Sequence, residues 1–240
     1  MVEKLKLKKE MADPGKEFYE RVKAKGLDYN FFGDWQAAYG KFVVSTSNVM
    51  QKVQKASISL LDVGTACGVN LRGIKQTGVF KKVVGVDSSP YLINLGKATH
   101  GFSEEELMVL DARELLEYFD SESFDMIHCT QTLEHIPEEH ISDVLRSFNE
   151  LLTPSGLLFL VVDAITPGQS AEMLKEKEAS HVTLKPRKWW MEKVLTNFRL
   201  DTDAQQRFAR AKFSPDNSAK TFYDYYREEW SLMVGFKFKK

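Results

Sequence analysis

The sequence predicts an α/β fold: a doubly wound, mostly parallel sheet with helices on both faces. Three observations predict it. Short apolar runs alternate with helix-length amphipathic stretches from about residue 57 to 163, the runs are rich in Val, Ile and Leu, and a glycine-containing turn follows the first run. The 240 residues suit one domain with an appendage. Residues 1–55 read as an N-terminal helical cap. Residues 56–240 read as the sheet domain, with a late insertion at about 163–185 and an aromatic C-terminal segment.

The expected strands are ISLLDVG (58–64), KVVGVD (82–87), LMVLD (107–111), FDMIHCT (124–130) and GLLFLVV (156–162), each short and aliphatic. Helices are expected at 67–77, 90–99, 112–119 and 137–152, where apolar residues recur at three- and four-residue spacing. Pro90 and Pro137 suit first-turn positions, and Ser88 or Ser89 is a suitable cap. The TPSG sequence at 153–156 predicts a turn before the fifth strand. Residues 1–55 contain no strong strand and predict helices broken near Lys25-Gly26 and near Phe32-Gly33-Asp34. Beyond the fifth strand, 163–181 reads as loop or short helix, 186–196 as helix, and 198–202 and 230–238 as late strands, with a loop at 214–218.

Lys and Arg total 33 against 34 Asp and Glu, a net charge of -1, which argues against a globally basic nucleic-acid binder. Two cysteines, Cys67 and Cys129, are too few for a disulfide framework, and no paired CxxC clusters could hold structural zinc. A reducing compartment is expected. No apolar run approaches membrane-spanning length, and MVEKLKLKKE lacks the apolar stretch of a secretion signal, so a cytoplasmic protein with no membrane partner is expected.

The segment LLDVGTACGVN (60–70) runs a buried strand into a turn that opens a helix. Gly64 permits positive φ and Gly68 lets the helix start close to the strand, so a ligand can approach main-chain N–H groups with no Cβ between. The spacing is not the G-x-G-x-x-G of a dinucleotide fold, because Ala66 stands where the middle glycine would be. Two acids follow. Asp87 closes the second strand, 19 residues after Gly68, where a carboxylate accepts from both hydroxyls of a ribose. Asp111, with Ala112 behind it, brings an acceptor and a backbone donor together for a purine edge. Asp62, Gly64, Asp87 and Asp111 are therefore expected along one cofactor-binding rim.

Together these segments resemble the class I S-adenosylmethionine-dependent methyltransferases, of the single-domain group that often modifies small molecules. The resemblance covers about residues 57–200 and is carried by DVGTACG, VVGVDSS, LMVLDA, FDMIHCTQTLEHI and LLTPSGLLFL. It implies a Rossmann-like, seven-stranded sheet with an antiparallel last strand. It also implies S-adenosyl-L-methionine as cofactor and S-adenosyl-L-homocysteine as product. Carried over residue by residue, it implies cofactor contacts at Asp62, Gly64, Thr65, Ala66, Gly68, Asp87, Ser88, Asp111, Ala112, Thr130 and Gln131. Ala66, Cys67 and Ser155 depart from the family's glycine pattern without blocking a binding turn.

After the fourth strand comes CTQTLEHIPEEH. A helix beginning near Thr132 would place Gln131, Glu134 and His135 on one face near the methyl donor. His135 is a candidate base for a hydroxyl acceptor, with His181 a second, and packing roles for both stand beside that reading. Gln131-x-x-Glu134-His135 with His181 partly matches a metal motif of some quinone-type and small-RNA methyltransferases. Gln131 replaces an anionic ligand there, so no metal is expected. Aromatic residues cluster at 29–42 and 222–238, giving Trp35, Tyr39 and Tyr226, with Glu134, as candidate acceptor contacts; ordinary packing is the competing account.

The expected function is methyl transfer to an O or N atom of a small molecule by in-line displacement. The alternatives are an RNA or protein methyltransferase and a noncatalytic cofactor-binding or interaction protein with the same fold.

Overall fold

Alternation along the strands decides which face of the sheet each side chain serves. In the computed structural model, which describes residues 13–24, 33–165, 168–177, 179–210 and 230–237, the strands are β1 (Ile58–Val63), β2 (Phe80–Asp87), β3 (Leu107–Val109), β4 (Phe124–Thr130), β5 (Leu152–Asp163), β6 (Phe198–Leu200) and β7 (Trp230–Lys237). They are hydrogen-bonded in the order β3-β2-β1-β4-β5-β7-β6. The first five form a parallel body. At its β5 margin, β7 pairs antiparallel with both β5 and β6. The strand order reverses between β1 and β4, and ligands of open α/β sheets bind beyond the strand C-termini at such a point.

The described helices are α1 (Pro14–Ala24), α2 (Gly33–Ser47), α3 (Val49–Val53), α4 (Val69–Gln76), α5 (Pro90–His100), α6 (Leu115–Tyr118), α7 (Glu138–Leu151), α8 (Ala171–Lys177), α9 (Arg187–Leu195) and α10 (Thr202–Arg210). Leu61, Val63, Ile127, Cys129, Leu158 and Leu160 point to one face, where α6, α7 and α9 cover them. Leu60, Met126, Leu157, Phe159 and Val161 point to the other, beneath α2, α3, α4 and α5. The aliphatic strands thus bury both faces, as parallel sheets require.

Helix α2 approaches α4 closely. A Cβ at Gly40 would lie 2.0 Å from the Gly73 carbonyl oxygen, and one at Gly73 would lie 1.9 Å from the Gln36 carbonyl oxygen. The two backbones touch because neither residue has a side chain. Ser89 caps α5 by accepting from the Leu92 N–H, Pro90 opens its first turn, and Gly101 ends it at φ 70°.

Several expected boundaries shift. The helix after the glycine turn begins at Val69, because Thr65–Gly68 is spent on the turn itself. Strand β3 stops at Val109, leaving Asp111 two residues beyond it. The TPSG turn is an irregularity inside β5: Phe124 pairs with Leu152 but Met126 with Leu157, so the extra residues bulge out and the strand continues. No helix starts at Thr132; a single 3-10 turn, Leu133–His135, precedes α7. The expected break near Lys25-Gly26 and the loop at 214–218 lie outside the described residues, as does most of the second aromatic window.

Candidate functional site

The glycine turn is built by left-handed backbone at Gly64 (φ 72°), Ala66 (φ 51°) and Gly68 (φ 78°). Gly64 and Thr65 both donate from their backbone N–H to the Val86 carbonyl at 2.9 and 3.0 Å, pinning the turn to β2, and the Gly68 N–H closes it on the Thr65 carbonyl. Gly64 is irreplaceable on two counts. Its φ disfavours any side chain, and a Cβ there would sit 2.0 Å from Oγ1 of Thr132.

Asp87 ties this turn to the next. One carboxylate oxygen accepts from the Ala66 N–H and the other from the Ser89 N–H, each at 2.9 Å. Burial raises its pKa above the usual carboxylate value; the two N–H bonds oppose that shift, and the nearby Asp13 and Asp62 charges add to it. Asp13 caps α1 through the Lys16 N–H and accepts from the Ser89 hydroxyl at 2.6 Å and from the Tyr91 N–H at 3.2 Å. The start of α1 therefore sits beside the second-strand acid. Ser88, next to both, is exposed.

Asp111 accepts from the Arg113 N–H and Nε at 2.9 Å each and from Nη2 at 2.6 Å. Those bonds hold its carboxyl below the ordinary range. Ala112 is half-buried behind it. Gln131 has left-handed backbone at φ 52° and an exposed side chain, while Thr130 is half-buried at the end of β4.

Asp62 does not face an open rim. It is 2% exposed, and both of its oxygens are engaged, one by the Thr65 hydroxyl and one by His128 Nδ1, each at 2.6 Å. Tyr39, expected at the acceptor, is 2% exposed, and its hydroxyl lies 2.8 Å from His128 Nε2. The reason is helix phase: docking α2 through Gly40 turns Tyr39 onto the sheet. Direct acceptor contact by Tyr39 is corrected to a core position. The side chain of Trp35, and all of Tyr226, lie outside the described residues.

Glu134 is also corrected. The 3-10 turn points it inward at 0% exposure, and Oε1 accepts from the Asp163 N–H at 3.0 Å. Burial pushes its pKa up to about 8. Its main-chain carbonyl accepts from both Val182 and Thr183 N–H at 2.9 Å, fastening the insertion to the end of β4. The expected shared face of Gln131, Glu134 and His135 therefore does not form: Gln131 and His135 are exposed and Glu134 is buried. His135 Nδ1 lies 3.2 Å from the Ser180 carbonyl, and its ring meets His181 edge-on with centroids 4.7 Å apart. His181 is buried, with Nδ1 3.8 Å from the Asp163 carboxylate. Among the described residues no group of three or more His, Cys, Asp or Glu side chains is arranged to hold a metal.

Sequence reading missed His128, Asp13 and Arg113. A signal for His128 existed: in FDMIHCT it follows Met126 on the same face of a buried strand.

Residues 36–208 match the family profile described as a methyltransferase domain. The chain belongs to this methyltransferase family. A ubiquinone biosynthesis O-methyltransferase of Xanthomonas oryzae pv. oryzae is 31% identical over 127 residues, which is 51% of this chain and 50% of that protein. The match to the curated relatives thus spans about half their length. Among solved structures, an S-adenosylmethionine-dependent methyltransferase from Archaeoglobus fulgidus aligns over 82% of this chain and 94% of its own at TM-score 0.55 and 13% identity. The geranyl diphosphate C-methyltransferase of Streptomyces coelicolor A3(2), solved with Mg2+, geranyl diphosphate and S-adenosyl-L-homocysteine, aligns over 82% and 79% at TM-score 0.56 and 14% identity. These structural likenesses establish the Rossmann-like α/β fold of the methyltransferase and nothing finer. No described helix of the methyltransferase is long and apolar enough to cross a membrane.

Proposed function

We propose that the chain moves a methyl group from S-adenosylmethionine to an oxygen or nitrogen atom of a small molecule by in-line displacement, releasing S-adenosylhomocysteine. The observation that carries the reading is Asp87: one carboxylate, at the end of β2 beside β1, bound to the N–H of both flanking turns and one strand away from the sheet's switch point. The Cβ-poor turn beside it fits the amino-acid end of such a cofactor, and Asp87 with Ser88 fits its ribose. Asp111, kept ionised by Arg113, and Ala112 take the base, and Thr130 and Gln131 border the methionine part. Small-molecule O-methylation is favoured by the partial likeness to ubiquinone biosynthesis O-methyltransferases.

When bound, the cofactor supplies an electrophilic sulfonium methyl. The chain's own contribution is positioning: holding two reactants in line is worth about 7–11 kcal/mol of barrier. A hydroxyl acceptor also needs a proton removed. His135, exposed at the rim, fits that role, with His181 behind it as the second candidate.

Calorimetric titration with S-adenosylhomocysteine tests the reading. Asp87→Ala should weaken binding at least about tenfold, the value of a hydrogen bond to a charged acceptor. An unchanged dissociation constant removes the ribose assignment. Turnover over a panel of phenols, amines and carboxylates then separates an enzyme from a noncatalytic binder. Steep salt dependence of acceptor binding would point instead to RNA.

A further inference from the structure

Asp62 (β1), His128 (β4) and Phe159 (β5) are register partners across three adjacent parallel strands. Their side chains lie in one row on the face that α2 covers. His128 is 0% exposed, stacks on Phe159 at 5.4 Å between centroids, and receives Tyr39 edge-on at 5.7 Å. A hydrogen-bonded chain runs through this row from Tyr39 Oη to His128 Nε2, from His128 Nδ1 to Asp62, and from Asp62 to the Thr65 hydroxyl. Its far end is the second residue of the glycine turn. Its near end is α2, which touches α4 through Gly40 and Gly73.

Polar groups at such depth cost free energy unless every one is satisfied, so the four side chains stand or fall together. A carboxylate accepts only, which requires a proton on His128 Nδ1 and leaves Nε2 to meet the Tyr39 hydroxyl. Without that hydroxyl the imidazole loses a partner in a site that water does not reach. The strain then passes to Asp62 and on to Thr65, whose backbone N–H also anchors the turn on Val86.

We propose that His128 is a positioning residue for the methyl-donor site, setting the shape of the turn Gly64–Gly68 according to whether Tyr39 of α2 is docked against it. The proposal rests on the donor-site reading above. Docking of the N-terminal cap and occupancy of the turn are then linked, and linkage is reciprocal: a docked α2 favours ligand at the turn, and ligand at the turn favours a docked α2. Helix α2 thereby reports on the cofactor site through this buried chain of side chains.

The probe is S-adenosylhomocysteine, with calorimetry and amide hydrogen exchange on the full chain. Tyr39→Phe keeps the ring and removes only the hydroxyl. It should weaken binding by about fivefold or more, within the usual range for coupled sites. His128→Asn, which can keep the bond to Asp62 and drops the one to Tyr39, should show the same loss, and the double variant no further loss. Val194→Ala opens a cavity on the opposite face of the sheet, costs stability without touching α2, and should leave the affinity unchanged; a loss there equal to that of Tyr39→Phe would reduce the chain to ordinary stability and overturn the proposal. In the wild type, the ligand should slow exchange at the amides of residues 36–47, and exchange indifferent to ligand also overturns it. Wild-type protein that fails to bind S-adenosylhomocysteine defeats the donor-site reading, and this proposal with it. Normal wild-type binding with an unaffected Tyr39→Phe defeats the proposal alone.

Discussion

Glu134 is held by burial in a chemical form that an exposed glutamate does not keep at neutral pH. With its pKa pushed from an ordinary 4.5 to about 8, the folded protein holds a proton that the unfolded chain has already released between those values. Its contribution to stability is therefore fully present below about pH 4.5 and is lost as pH rises through about 8, because the folded state then binds more protons than the unfolded one. Glu134→Gln keeps an acceptor for the Asp163 N–H and offers an amide donor at Oε2, which is buried without a hydrogen-bond partner. The variant should match the wild type in melting temperature at about pH 4 and exceed it increasingly up to about pH 8, as expected when a buried carboxylic acid is replaced by a neutral isostere. Parallel melting curves across that range would show that Glu134 is not the titrating group. This inward Glu134 was not legible in TQTLEHI, because a helical reading and a single 3-10 turn place the same residue on different sides. The place of Asp87 was legible: a strand-end acid a fixed distance past a glycine turn needs only the end of β2, which falls at Asp87 as expected.

At the scale of elements, the sequence carried what repeats and missed what depends on contact. All five central strands were legible because burial on both faces demands unbroken aliphatic runs, which few other arrangements tolerate. Ser89 and Pro90 announced the start of α5 for the equally local reason that a cap and a preset φ act within one turn. The docking of α2 on α4 was invisible, since Gly40 and Gly73 lie in helices where glycine is locally unfavourable and only the partner explains them. Gly73→Ala tests that explanation. In an isolated helix the change would favour folding by about 1 kcal/mol, but here the new Cβ would meet the Gln36 carbonyl at 1.9 Å, and overpacking typically costs about 1–3 kcal/mol. The net result should be a lower unfolding midpoint in urea, together with faster proteolysis of the N-terminal cap. A stabilised variant would mean that the helices can separate freely and that Tyr39 has no fixed seat.

For the whole molecule, the ends of β1 and β2, strand β4 and helices α1 and α2 are joined around the glycine turn, and that convergence makes ligand and stability inseparable. The turn, Asp87, the Asp13 cap of α1 and the Tyr39–His128–Asp62–Thr65 chain tie together segments far apart in sequence. A ligand gripping that edge binds only the assembled state, so it stabilises the fold by mass action, about 2.7 kcal/mol at a hundredfold excess over its dissociation constant. For a chain of this length each kcal/mol shifts the midpoint by roughly 2–4 °C, so saturating S-adenosylhomocysteine should raise the melting temperature by about 5–10 °C. Asp87→Ala should lose most of that rise at the same concentration. Adenosine alone should give a smaller shift, because it leaves the glycine turn unfilled. Equal shifts from adenosine and S-adenosylhomocysteine would place the whole interaction at the two acids and remove the turn from the binding site.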